Sequence, residues 1–268
     1  PLRRQRQMCI RDRLLVLCMA AIMAVAALVA GCGSTEQKAA SDSKVLKVGT
    51  NADFAPFEFQ DENGKEYQGF DMDLIRAVGE EMGYKVEISN LQFDGLIPAI
   101  QAGNIDVALA GMSINEERKQ NVLFSDPYYK SGLSIIIPKD NNDIKTFQDL
   151  KGKKVAVQIG TTSAAEVNKI GGIEVKEFNS SADTFMELRA KGVDAVVNDR
   201  PVNDYYILQS GETNVKALPE LLTSEDYGIA MAKGNTELQQ KINDALKKLH
   251  ENGKYDEIFT KWFGTTSK

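Results

Sequence analysis

From Lys44 onward, short apolar runs alternate with amphipathic stretches. The segments "KVLKVGT" (44–50), "KVEIS" (85–89) and "IDVALAG" (105–111) have the length and content of buried strands. "FEFQDENGKEYQGF" (57–70) predicts a hairpin, with Asn63-Gly64 as its turn. Between these, "DMDLIRAVGEEM" (71–82) predicts a helix, with acids in its first turn and Leu74, Ile75, Val78 and Met82 on one face. "FDGLIPAIQAG" predicts another, with Asp94 as N-cap and Gly103 as stop. After Ser125-Asp126-Pro127-Tyr128-Tyr129 the rhythm restarts. "LSIIIP", "KKVAVQIG", "VKEF" and "VDAVVND" are strands; "TFQDLKG", "TSAAEVNKI", "ADTFMELRAKG" and "PVNDYYILQS" are helices. "YGIAMAK" is a late strand. It precedes a helix with Leu238, Ile242, Ala245 and Leu249 on one face, and "YDEIFTKWFG" forms the last. This alternation predicts α/β architecture with largely parallel sheets in two runs. The pattern alone leaves open to which run the last segment belongs.

The first 31 residues follow other rules. Arg11 and Arg13 precede an apolar run, Leu14 to Ala30, that ends in Val-Ala-Gly-Cys. A basic segment, an apolar stretch and a small-residue junction predict an export signal over 1–31, with a membrane anchor as the alternative. The junction resembles the lipobox of bacterial lipoproteins, which implies lipidation of Cys32, a tether over 32–43 and an extracytoplasmic, membrane-anchored protein. Cys9, Cys18 and Cys32 are the only cysteines. The rest of the chain therefore holds no disulfide.

Charge and chemistry narrow the function. Residues 1–31 hold five arginines and one aspartate, so 27 of the 32 Lys+Arg and 37 of the 38 Asp+Glu lie beyond, a net −10. Such a surface disfavours nucleic acid. His250 is the single histidine, so metal centres lack a ligand set, a histidine-assisted nucleophile would need His250 as its base, and no metal or cofactor is expected. No phosphate-binding glycine loop occurs. Carboxylate chemistry or binding alone remains.

"GFDMDLIRAVGEEM" (69–82), "FAPFEF", "FDGLIPAIQAG", "ALAGMSINEERK", "FSDPYYKSG" and "KWFG", in this order, resemble the polar amino-acid binding proteins of bacterial ABC transporters. The glutamine and basic amino-acid binders are the nearest type. The resemblance spans about Lys44 to Gly264. It implies the two-lobed type II periplasmic-binding-protein fold: lobe 1 over 44–127 and 228–268, lobe 2 over 133–222, and hinges at 128–132 and 223–227. A monomer that delivers its ligand to the transmembrane permease is the implied assembly.

On this reading Arg118 grips the ligand carboxylate, since a guanidinium fork matches a carboxylate bidentately. From the residues alone it would be a solvated helix arginine. Ala110, Gly111 and Ser113 offer main-chain groups and a hydroxyl to the ligand's charged ends. Thr161 and Thr162 open a helix whose free N–H groups suit an anion. Asp199, at a strand's C-terminal edge, pairs with the ammonium, with a helix N-cap before Pro201 as its rival. Phe54 and Phe93 sandwich the ligand side chain, or else belong to the core. Asn51, Gln158 and Asn198 are neutral amides where the family often places charges. That favours glutamine or another uncharged polar amino acid and keeps arginine or lysine open. Two other activities share the fold: a dehydratase of cyclic acids, for which Glu58 or Asp94 would serve, and an extracellular amino-acid sensor domain.

Overall fold

The computed structural model describes residues 44–61, 63–209, 211 and 213–264. The expected signal segment, tether and Cys32 lie outside the described residues. Two five-stranded sheets form the frame. The first contains β1 (Lys44–Thr50), β5 (Tyr84–Asn90), β6 (Val107–Ala108), β7 (Val122–Phe124) and β15 (Ala230–Ala232), in the order β5-β1-β6-β15-β7. The second contains β9 (Leu133–Pro138), β10 (Lys154–Gln158), β11 (Glu174–Phe178), β12 (Ala195–Asp199) and β13 (Val215–Ala217), in the order β11-β10-β12-β9-β13. A small sheet of β2 (Asp53–Phe54), β3 (Glu58–Gln60) and β4 (Tyr67–Gln68) flanks the first.

The sheets are mixed rather than largely parallel. β1 runs parallel to β5 and β6, whereas β15 is antiparallel to both β6 and β7. In the second sheet β9 alone is reversed, antiparallel to both of its neighbours, β12 and β13. The cause is connectivity. β9 follows directly on β8 (Tyr129–Ser131), which pairs antiparallel with β14 (Glu225–Tyr227). β15 returns to the first sheet three residues after β14. A run of apolar residues cannot report such direction, because the same buried pattern serves either pairing.

α1 (Phe70–Met82) buries Phe70, Leu74, Ile75 and Val78. It packs against α7 (Thr236–Glu251), whose Leu238, Ile242, Ala245, Leu246 and Leu249 form the facing stripe, and against α8 (Lys254–Phe263). Each Leu, Ile, Val or Phe side chain so removed from water contributes about 1.5–3 kcal/mol. The second core is layered from Leu133, Ile135, Ile137, Val155, Val157, Ala195 and Val197. Against the expected Asp94-capped helix, Phe93–Gly95 forms a 3-10 turn and α2 (Leu96–Gln101) starts after Gly95 with no side-chain cap. "TFQDLKG" likewise yields only a 3-10 turn over Phe147–Leu150, closed by a Thr146–Asp149 capping box.

Gly69 fixes the corner between the flanking sheet and α1. Its φ is 129°, and a Cβ there would lie 2.1 Å from the Phe57 carbonyl oxygen. That close approach lets Asp71 N–H donate to Phe57 O at 2.9 Å. Gly69→Ala is expected to cost ~1–3 kcal/mol in a denaturant melt, because the backbone must leave a glycine-only conformation.

Candidate functional site

The C-terminal ends of β1, β10 and β12 and the loop after β6 face one another across a pocket, as ligand sites of open α/β sheets do. Its wall contains Asn51, Phe54, Phe93, Ala110, Gly111, Ser113, Arg118, Gln158, Thr161, Thr162 and Asp199, together with Glu58. Among the ligand-binding candidates only Asn198 is absent from the wall.

Arg118 lies in the short helix α3 (Glu116–Lys119), which Asn115 caps by accepting from Arg118 N–H at 2.8 Å. The helix directs the guanidinium inward, where the residue is only 8% exposed. Nη1 donates to Ser113 O at 2.7 Å and Nη2 to Gly160 O at 3.1 Å, and the group lies over the Phe93 ring at 5.3 Å. Among the described residues no carboxylate lies within ion-pair distance of it. Burial lowers the Arg118 pKa, and the charges of Glu225 and Asp199 oppose that shift. A buried cation with only carbonyl partners is a site that favours an incoming anion. The solvated-arginine alternative does not describe this geometry.

Asp199 approaches from the second sheet and is buried. Its Oδ1 accepts the Ser131 hydroxyl at 2.8 Å. Burial, then the neighbouring Glu225 charge, raises its pKa to about 7. An ammonium beside it would reverse that shift by favouring the ionised form. Asn198 is the preceding residue on the strand, so its amide turns to the other face, where it donates to Ser181 Oγ at 2.8 Å. It stands behind the wall.

The remaining candidates divide between ligand-facing and self-paired groups. Gln158 Nε2 donates to Asn51 Oδ1 at 2.7 Å and to Asn179 O at 3.1 Å, and Asn51 donates to Leu91 O at 3.1 Å. These two amides close one end of the pocket from opposite sheets. Thr161 caps α4 (Thr162–Ile170), accepting from Ala164 N–H and donating to Gln158 O. Phe54 stacks on Phe57 with centroids 6.0 Å apart. Gly111 has φ 53°, and a Cβ there would lie 2.7 Å from Phe54 Cε1. Its N–H is bound to Asp71 Oδ2 at 2.9 Å, so the main-chain group expected to reach a ligand is already held inside the protein. Buried Ala110 completes this loop.

Glu225, on β14, was not singled out by the sequence reading. It accepts from the Ser113 hydroxyl, from Thr162 Oγ1 at 2.8 Å and from Thr223 Oγ1 at 2.7 Å. One carboxylate thus joins both halves at their connection. No local periodicity marks such an acid, because its partners are remote in sequence. Of the two carboxylates that would serve a dehydratase, Glu58 lines the pocket, while Asp94 is exposed and off the wall. Among the described residues no cluster of His, Cys, Asp or Glu is placed to hold a metal ion.

Residues 46–265 match the family of bacterial extracellular solute-binding proteins, family 3. The arginine-binding extracellular protein ArtP of Bacillus subtilis (strain 168) is 32% identical over 253 residues, covering 93% of this chain and 97% of the relative. An ancestral arginine-binding protein bound to arginine superposes with a TM-score of 0.80 at 49% identity, covering 82% of this chain and 98% of the other. An ancestral arginine-binding protein bound to glutamine gives 0.79 at 50% identity, with the same coverage. These relatives are binding proteins, and the chain is one rather than an enzyme. With its two α/β halves and mixed sheets in the type II architecture, the chain belongs to family 3 of the bacterial extracellular solute-binding proteins, as the extracytoplasmic amino-acid-binding component of an ABC uptake system.

Proposed function

We propose that the protein captures a free polar L-amino acid, with Arg118 on the carboxylate and Asp199 on the ammonium, and presents it to the membrane permease. The observation that carries this is the pair of opposite charges on one pocket wall. Arg118 is buried with no carboxylate partner among the described residues, and Asp199 reaches in from the other sheet. The lobes are 44–127 with 228–268, and 133–222, turning on 128–132 and 223–227. A zwitterion whose ends are divided between lobes is bound more tightly when they close. Only such differential affinity can shift the open–closed balance. Lipidation of Cys32 would hold the protein at the membrane.

The side chain of the ligand extends between Phe54 and Phe93 toward Asn51 and Gln158. Both of these are uncharged and can donate and accept, which suits a carboxamide, so L-glutamine is the first reading. L-Arginine is the second. It is favoured by the similarity to the arginine-bound ancestral protein and by rings able to stack a guanidinium. Thermal melts against the twenty L-amino acids test this. A ligand at 100 times its Kd adds about 2.7 kcal/mol of apparent stability. Glutamine is expected to give the largest shift and arginine the next. A panel in which no α-amino acid moves the melt would sink the proposal.

A further inference from the structure

Two carboxyl groups lie together at this pocket, Glu58 on its wall and Asp71 behind it, and neither role proposed above uses them. Glu58 is on β3 opposite Phe54, and Asp71 is in the first turn of α1. The Gly69 corner and the bond from Asp71 N–H to Phe57 O bring them side by side. Both residues are fully buried. Asp71 Oδ2 accepts from Gly111 N–H at 2.9 Å and from Tyr128 OH at 2.8 Å. Asp71 Oδ1 and both oxygens of Glu58 find no donor.

Two adjacent buried carboxyls do not both ionise. The charge belongs on Asp71, which has two donors to stabilise it. The proton belongs on Glu58, which has none and which faces further acids at Asp71, Asp53 and Asp199. Protonated, Glu58 supplies the one donor that Asp71 Oδ1 lacks, so the shared proton satisfies the buried group that is otherwise most costly. The phenols near the pair, Tyr128, Tyr129 and Tyr255, are held neutral by burial.

Gly111 belongs to the loop that presents Ser113 and leads to Arg118. Tyr128 enters the hinge strand β8, its N–H donating to Tyr227 O on β14 and its carbonyl accepting from Tyr255 OH. We infer that Glu58 and Asp71 hold one proton between them, and that Glu58 is a positioning residue: as a neutral donor it fixes the Asp71 carboxylate, which ties the ligand-gripping loop to the hinge. The inference deepens the amino-acid-binding reading and rests on it for its effect on affinity. The proton and the loop contact are observable without ligand.

Infrared difference spectra of the protein in heavy water, wild type against Glu58→Gln, test the proton. A protonated-acid carbonyl band is expected at neutral pH in the wild type and is lost in the variant. Hydrogen exchange at the Gly111 amide, read by NMR, tests the positioning. Glu58→Gln keeps a neutral donor and is expected to leave the exchange rate unchanged. Glu58→Ala is expected to raise it at least ~10-fold through local opening. Titrations with L-glutamine and L-arginine should follow the same order, Glu58→Gln within about twofold of wild type and Glu58→Ala ~10-fold weaker. Absence of the band in the wild type, or exchange and affinity lost in Glu58→Gln as far as in Glu58→Ala, would overturn the inference and make Glu58 an anionic contact. A wild-type protein that binds no amino acid but shows the band and the Gly111 pattern would instead sink only the binding proposal.

Discussion

Replacing Arg118 by alanine is expected to weaken amino-acid binding by at least ~30-fold, corresponding to ~2–5 kcal/mol for truncating one side of a desolvated charge pair. The guanidinium is held by two carbonyls, from Ser113 and from Gly160 on the opposite half, and by the face of Phe93. It is therefore aimed before any ligand arrives, and little ordering cost remains for binding to meet. The ligand-free fold should respond differently. A buried cation without a carboxylate partner carries a desolvation penalty, so its removal offsets the two lost hydrogen bonds. Isothermal titration should thus show loss of binding while the ligand-free melt moves by no more than about 1 kcal/mol. Unchanged affinity in a folded Arg118→Ala protein would remove the carboxylate grip from this residue.

The second large effect lies on Asp199. Asp199→Asn is expected to cost ~2–5 kcal/mol in affinity, since an ammonium would then face an uncharged amide in a buried setting. It should also change the pH profile. The Asp199 carboxyl, raised to about 7 by burial, binds the ligand ammonium only when ionised. Wild-type affinity should therefore fall as pH drops below about 7, by at most tenfold per pH unit, and the variant should be flat across the same window. The folding term has the opposite sense. An acid whose native pKa is raised contributes stability that is fully present below its ordinary value and lost as pH rises through the native value. For Asp199 at about 7, and for Asp53 and Asp71 at about 6, ligand-free stability should decline from pH 5 to pH 8 while affinity improves. Melts and titrations across that range separate the two.

Much of the frame was legible along the chain. The stripe at Leu238, Ile242, Ala245 and Leu249 is fully consistent with its helix, because a buried face repeats with the helical period. The apolar run at Leu133–Pro138 is a strand for the corresponding reason. Strand direction was not legible, and β15 shows why: Ala230–Ala232 slots between β6 and β7, elements more than one hundred residues earlier. The Asp94 cap failed because a short 3-10 turn absorbed the start of that helix and left Gly95 as the flanking residue. Asn198 and Asp199, adjacent in sequence, were proposed for one wall, but strand alternation turns one amide to the back.

What the sequence by itself determined is the set of elements and the kinds of groups near their ends: a guanidinium after β6, an aspartate ending β12, amides and rings between them. These follow from local periodicity, turn chemistry and composition, which act over a few residues. Only the tertiary structure decided which of those groups lose water and which meet. Arg118 is buried without a carboxylate, Gln158 reaches Asn51, Glu225 collects hydroxyls from both halves, and Glu58 faces Asp71. Charge, proton occupancy and affinity depend on desolvation and on distances between residues far apart in the chain, and these exist only once the two sheets stand opposite each other.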